Sequence, residues 1–183
     1  MSETKKPVPV EFKTSGTLTK KGVKITEQTS TDALSNRGYG TLEGEEFTLA
    51  FYEALYLLDK GMLEVKNSRG NPLDFQGILQ VYGQTNENAW VNYLVYRDLR
   101  GRGYVVREGF GLGTSFRVYE RGTYGKDSAS HLVLGLQEGK PLPIELIADV
   151  MTQCQSQKKE LIVAVMNRRG EIVYYSVSQL NFK

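Results

Sequence analysis

The chain is short of the residues that metal and disulfide chemistry require. Its 183 residues include one cysteine, Cys154, and one histidine, His131. A single cysteine cannot close an intrachain disulfide, which fits a reducing compartment. One Cys and one His cannot complete a tetrahedral zinc site, so no metal and no cofactor is expected. Long apolar runs are missing too: none approaches the ~20 residues of a membrane helix. Residues 1–6 are charged and lack the apolar core of a secretory signal. These absences point to a soluble, cytoplasmic protein. Net charge is small as well, with 23 Lys and Arg against 21 Asp and Glu. Any surface for RNA must therefore come from local clusters of Arg and Lys. The length suits one domain or two small ones.

Patterning divides the chain at residue 85. Residues 1–9 are polar with two prolines and should fray. Residues 10–25 read as short strands around Gly16 and Gly22. Residues 26–44 are rich in Thr, Ser, Asn and Gly and read as irregular. Over 45–60, Phe47, Ala50, Phe51, Ala54, Leu55 and Leu58 recur at helical spacing, with Gly61 as the stop. A short strand follows at 62–65, then a turn at 68–71. Asp74 is placed to cap a short helix ending near Gly83. This half, 1–85, carries few chemical groups and reads as an α/β packing or assembly domain. Residues 86–100 form a second helix, with Trp90, Leu94, Val95 and Leu99 on one side and Arg97, Asp98 and Arg100 on another.

From Tyr104 the pattern turns to strands. Over 115–119, Phe116 and Val118 share one face, while Arg117 and Tyr119 share the other. A strand at 131–136 precedes a helix at 144–158 with Ile144, Leu146, Ile147, Val150 and Met151 inward. The run 161–165 lacks alternation, as a strand buried on both faces does. Arg168-Arg169-Gly170-Glu171 turns the chain into a hairpin partner at 172–177. Residues 86–183 thus form a mixed sheet with flanking helices, and the whole chain is α+β.

Three groups carry candidate chemistry. Tyr119 stands between Arg117 and Arg121, and a phenol with a pKa of about 10 needs nearby positive charge to act as a base near neutrality. Lys158 and Lys159 stand where a helix meets the apolar strand; either is a solvated helix end or a fixed ammonium that steadies charge on a phosphate. His131 is a structural residue or, with a pKa of about 6.5, the donor of a proton to a departing alkoxide. Together they suit attack by a ribose 2′-hydroxyl on the adjacent phosphorus, in which the RNA supplies the nucleophile. Tyr119, His131 and Lys159 are then expected in one cleft, within about 10 Å of one another. Arg97, Arg100, Arg117, Arg121 and Lys158 are the candidate phosphate contacts, in a wider cluster with Arg102 and Arg107.

Several segments carry a family resemblance over nearly the full length. They are Arg37-Gly38-Tyr39-Gly40, residues 49–57, residues 93–106, and Gly113-Thr114-Ser115-Phe116-Arg117-Val118-Tyr119-Glu120-Arg121-Gly122. Lys158-Lys159-Glu160-Leu161-Ile162-Val163-Ala164 completes the set. The chain resembles the archaeal tRNA-splicing endonucleases. The resemblance implies a restriction-endonuclease-like C-terminal catalytic domain and metal-independent cleavage of precursor tRNA at bulge-helix-bulge junctions. The products would be a 2′,3′-cyclic phosphate and a 5′-hydroxyl. It makes Tyr119 the catalytic tyrosine and Lys159 the catalytic lysine, with Lys158 the choice if the strand slips by one. Three departures stand out. Ser128 occupies the place of the family histidine and His131 that of a tyrosine; Thr152 replaces a helix arginine; and the hairpin at 167–171 is basic where the family's docking loop is acidic. The last implies a heterotetramer with a second, structural subunit bearing an acidic loop, with self-pairing through strands at 172–180. The alternatives are a non-catalytic subunit of the same enzyme and an RNA-binding module without chemistry.

Overall fold

A computed structural model of the chain describes residues 12–111 and 114–179. The expected fraying of residues 1–9, the motif residue Gly113 and position 180 of the pairing strand lie outside these. Within them the chain is α+β, with two sheets and the helices between and outside them.

The first half contains β1 (Thr14–Leu18), β2 (Val23–Ile25), α1 (Gln28–Asn36), β3 (Thr41–Glu43), β4 (Glu46–Leu49), α2 (Phe51–Asp59), β5 (Leu63–Lys66), β6 (Pro72–Leu73) and α3 (Phe75–Thr85). Its strands lie in the order β3-β4-β2-β1-β5-β6, with β1 and β5 parallel and the other pairs antiparallel. Asp74 caps α3, its carboxylate accepting the Gly77 N–H at 2.8 Å, but the helix runs past Gly83 to Thr85.

Two expectations are corrected here. Residues 26–44 are not irregular: they hold α1 and β3. The Ser and Thr hydroxyls that argued for a loop instead bind the Glu27 carboxylate, Ser30 at 2.7 Å and Thr29 at 2.9 Å, and Leu34 is fully buried. The helix expected over 45–60 begins only at Phe51. Phe47 and Leu49 are buried on alternate positions of strand β4, so Phe47, counted into the helical repeat, belongs to a strand instead. Gly61 does end α2, with φ of 71°.

The second half contains α4 (Ala89–Gly101), β7 (Val105–Gly111), β8 (Thr114–Tyr119), β9 (His131–Gln137), α5 (Ile144–Ser156), β10 (Glu160–Met166) and β11 (Ile172–Val177). Its sheet runs β11-β10-β9-β8-β7. Only β9 and β10 are parallel in it. A parallel pair needs a crossover, and α5 supplies it. β10 lies inside the sheet. Ala164 and Met166 join the core that contains α4; Leu161 joins Val150 and Cys154 of α5 in a second cluster. Both faces are therefore covered, as the unbroken apolar run required. One inward assignment fails, since Ile144 is 69% exposed, and Trp90, grouped with the buried Leu94, Val95 and Leu99, is 43% exposed.

α4 packs on α2 and α3 and also on β7, β9, β10 and β11. One hydrophobic core consequently runs through both halves. Tyr52 of α2 meets Phe116 of β8 edge-on at 5.0 Å and Tyr96 of α4 at 4.8 Å. Beside these rings Arg107 of β7 reaches Glu53 of α2 at 3.2 Å, and Glu53 is almost wholly buried. Replacing Arg107 by Ala is expected to lower the unfolding free energy by about 3–5 kcal/mol, as removal of one partner from a buried pair does. Urea melts of the two proteins read the difference; a loss below about 1 kcal/mol, the worth of an exposed pair, contradicts it.

Candidate active site

Tyr119 ends β8, His131 begins β9, and Lys159 immediately precedes β10. The register aligns these strand ends: Val118 pairs with His131 and His131 with Glu160. Backbone bonds tie the row together, the Ser130 N–H donating to Val118 O at 3.0 Å and the Glu160 N–H to Ser130 O at 3.1 Å. Side chains alternate across a sheet, and residues paired directly across strands share a face. Val118, His131 and Glu160 consequently share the face that packs on α4. Tyr119 and Lys159, each one position off that row, point to the other.

The surroundings agree with this parity. His131 lines a cavity of about 250 Å³ with Leu99, Tyr104, Val118, Ile162 and Tyr174, under α4. Its Nδ1 is 2.7 Å from Ser130 Oγ, and its Nε2 is 3.5 Å from the exposed Glu160 carboxylate. Lys159 lies instead against α5, beside Met151, Cys154 and Gln155. Its ammonium donates to Ala129 O at 2.7 Å, which fixes it under the loop 120–130. Tyr119 stacks edge-on against Tyr124 of that loop at 5.1 Å. Strand parity thus divides the three groups between the two faces of the sheet. Tyr119 and Lys159 come to one face; His131 goes to the opposite one because it begins β9 in the wrong phase.

The end of α5 separates the two lysines. Gln157 is its C-cap, and Lys158 takes a left-handed φ of 53°. The Lys158 N–H donates to Gln155 O at 3.1 Å and the Lys159 N–H to Cys154 O at 2.9 Å. This is a Schellman closure with a lysine where glycine is usual. It leaves Lys158 exposed and turns Lys159 back beneath the loop.

The candidate phosphate contacts separate as well. Arg97 is exposed, its guanidinium 5.7 Å from the centre of the Tyr93 ring. Lys158 is exposed too. Arg121 is exposed but docks on Arg102 O, and Arg117 Nε donates to Glu108 O at 2.7 Å. Arg100 is turned inward: it donates to Arg37 O at 3.0 Å and lies 3.9 Å from the Tyr39 ring centre. Arg107 of the wider cluster is held by Glu53. Arg100 and Arg107 thus serve packing, since burial binds an arginine to whatever acceptors line its path.

The second half is thus a five-stranded mixed sheet with Tyr119 and Lys159 at neighbouring strand ends. Residues 89–174 match the catalytic C-terminal domain of tRNA intron endonuclease, and residues 14–79 match that family's N-terminal domain. The chain carries an endonuclease catalytic domain and belongs to the tRNA intron endonuclease family. It is similar to the tRNA-splicing endonuclease of Methanococcus maripaludis, 31% identical over 180 residues and 98% of each chain. That of Pyrococcus furiosus is 35% identical over 147 residues, 80% of this chain and 84% of its own. That of Pyrococcus horikoshii is 30% identical over 174 residues, 95% and 98% of the two chains.

Sequence reasoning missed Tyr124, which lies in a polar loop and follows no periodicity. It also missed Glu53, whose acidic position on an otherwise apolar helix was the available signal. Substituting Lys158 by Gly is expected to raise stability by about 1 kcal/mol, because the left-handed cap position then carries no Cβ penalty. Chemical denaturation measures it; a destabilised variant would contradict the cap.

Proposed function

We propose that this chain is an endoribonuclease subunit that cleaves precursor tRNA at exon–intron junctions. The observation that carries the proposal is the placement of Tyr119 and Lys159 on one face at one end of the catalytic sheet. Residues 86–183 do the chemistry, and residues 1–85 pack and assemble; the reaction belongs in the cytoplasm. Unstacked nucleotides of a bulge-helix-bulge can splay for in-line attack. Tyr119, having first lost its own proton to solvent, takes the proton from the ribose 2′-hydroxyl as a phenolate. The freed oxygen bonds to phosphorus, and the bond from phosphorus to the 5′-oxygen breaks. Lys159 steadies the charge that builds on the non-bridging oxygens. The products are a 2′,3′-cyclic phosphate and a 5′-hydroxyl. The departing oxygen needs a proton, and His131 is on the opposite face. Solvent or a group on a second chain supplies it. Arg97, Arg117, Arg121 and Lys158 contribute phosphate contacts.

Incubation with a bulged RNA in chelator is expected to give those ends. Lys159→Ala should lower the rate by roughly 10²–10³, as loss of an oxyanion donor does. His131→Ala should fall well short of the ~10² loss that removing a general acid brings. Ser128→His, which restores the family spacing, should raise the rate. A 5′-phosphate product, or a strict Mg²⁺ requirement for the chemical step, sinks the proposal. Ser128 and the placement of His131 also favour a second reading, a non-catalytic subunit. It predicts that Lys159→Ala leaves cleavage by the assembled enzyme unchanged.

Assembly follows from charge and edges. Arg168 and Arg169 are exposed. The carboxylate of the hairpin, Glu171, is bonded by Asn167 Nδ2 at 2.8 Å. β11 is an edge strand with Val173 42% and Tyr175 55% exposed. It suits self-pairing, whereas two basic hairpins facing the same basic cleft repel. We propose a heterotetramer with a structural subunit whose docking loop is acidic. Light scattering should find the chain alone below a tetramer and a tetramer after mixing with such a partner. A fully active homotetramer refutes this.

A further inference from the structure

We propose that Tyr124 is a positioning residue for Tyr119 and that the backbone of Gly38 is its seat. The proposal rests on Tyr119 acting as the base described above. A catalytic phenol must be held within about 0.5 Å of its working place. Tyr119 is poorly placed for that by itself. It is the last residue of its strand, it is only half-buried, and it belongs to neither hydrophobic cluster. The ring contact it does make is with Tyr124, edge-on at 5.1 Å and 88°.

Tyr124 is in turn fixed from two sides. Its turn is closed by the Thr123 hydroxyl on Glu120 O at 3.0 Å and by the Lys126 and Asp127 N–H groups on Thr123 O, both at 2.9 Å. Its ring faces the space that a side chain at Gly38 would fill. A Cβ at position 38 would stand 3.3 Å from Tyr124 Cε1 and 2.6 Å from Val105 Cγ1, and the φ of +74° disfavours any side chain there. Val105 is the residue paired with Tyr119 across β7 and β8. Gly38 is itself anchored, its N–H on Ser35 O at 2.9 Å and its carbonyl accepting from Arg107 at 3.1 Å. A continuous line of contact thus runs from the Glu53–Arg107 pair through Gly38 and Tyr124 to Tyr119. The first half of the chain reaches the candidate base through it, although no residue of that half does chemistry.

The experiment is single-turnover cleavage of a bulged RNA by the assembled enzyme at saturating concentration. Tyr124→Leu is expected to lower the rate about 10–100-fold, the effect of misplacing a reacting group by about an ångström, with RNA affinity changed less than about twofold. Tyr124→Phe, which keeps the ring, should cleave near the wild-type rate. Gly38→Ala should resemble Tyr124→Leu. In a Tyr119→Phe background the Tyr124→Leu change should cost nothing more, because the group it places is gone. Alongside, 3-fluorotyrosine at position 119 should show a ¹⁹F line that moves toward the free amino acid in Tyr124→Leu and stays put in Tyr124→Phe. A full-rate Tyr124→Leu enzyme, a loss that persists without the Tyr119 hydroxyl, or an unmoved ¹⁹F line overturns the proposal. If the wild-type protein does not cleave, the endonuclease reading fails by itself, and the ¹⁹F line still decides whether Tyr124 holds Tyr119.

Discussion

The ion pair between Arg107 and Glu53 is the constraint on which the relation of the two halves depends. Burial alone would make it a liability, since removing two charges from water costs more than their attraction returns unless the other donors and acceptors are matched. Here they are matched. Glu53 accepts the N–H groups of Ala50 at 2.9 Å and Gly40 at 3.0 Å, besides Arg107. Arg107 also donates to Gly38 O and to Thr41 Oγ1, the latter at 3.0 Å. Burial pushes the Glu53 carboxyl above its usual range, against the pull of Arg107 and of the two N–H groups. So satisfied a pair tolerates one geometry. The edge strand β7 must face the start of α2, and residues 38–41 must lie between them. Gly40 allows this: a Cβ there would come within 2.2 Å of the Phe47 ring.

Around that fixed edge the apolar contacts are less particular. Tyr52, Tyr96 and Phe116 interlock across α2, α4 and β8, and burial of such rings provides much of the cohesion. Packing of this kind holds two layers together but leaves freedom to slide. A directional pair removes that freedom. The division of labour explains why one continuous core spans two halves that the family descriptions match separately, with α4 serving as the shared wall.

The parts of this fold that were legible in the sequence are those with a strict period. Phe116 and Val118 against Arg117 and Tyr119, and the unbroken run 161–165, each specify a strand and its faces. So does the Asp74 cap, whose side chain has one job. The failures have a common cause: local pattern was overruled by contacts distant in sequence. Phe47 continues a helical spacing by accident, and pairing with β2 places it in a strand. Arg100 and Arg107 look like a basic patch until the loop 37–41, more than sixty residues away, claims their donors. Position along a strand was readable at Tyr119, but which face a residue of another strand shares with it depends on register, which no local signal fixes.

That dependence decides the chemistry at His131. Cross-strand pairing is settled by backbone bonds, and once Val118, His131 and Glu160 stand in a row the imbalance is unavoidable: shifting a side chain by one position moves it through the sheet. A histidine three residues earlier would lie in the loop 120–130, which passes over the face of Tyr119 and Lys159. At the start of β9 it is held by Ser130 and Glu160 beneath α4 instead. The imidazole is near Tyr119 and Lys159 in the chain, yet strand parity puts it on the other face of the sheet. With the tyrosine and the lysine on one face and the histidine on the other, the sheet sets apart groups that a sequence motif alone joins. On the reading proposed above, the base and the phosphate stabiliser both belong to this chain, and the proton comes from whatever meets its open face.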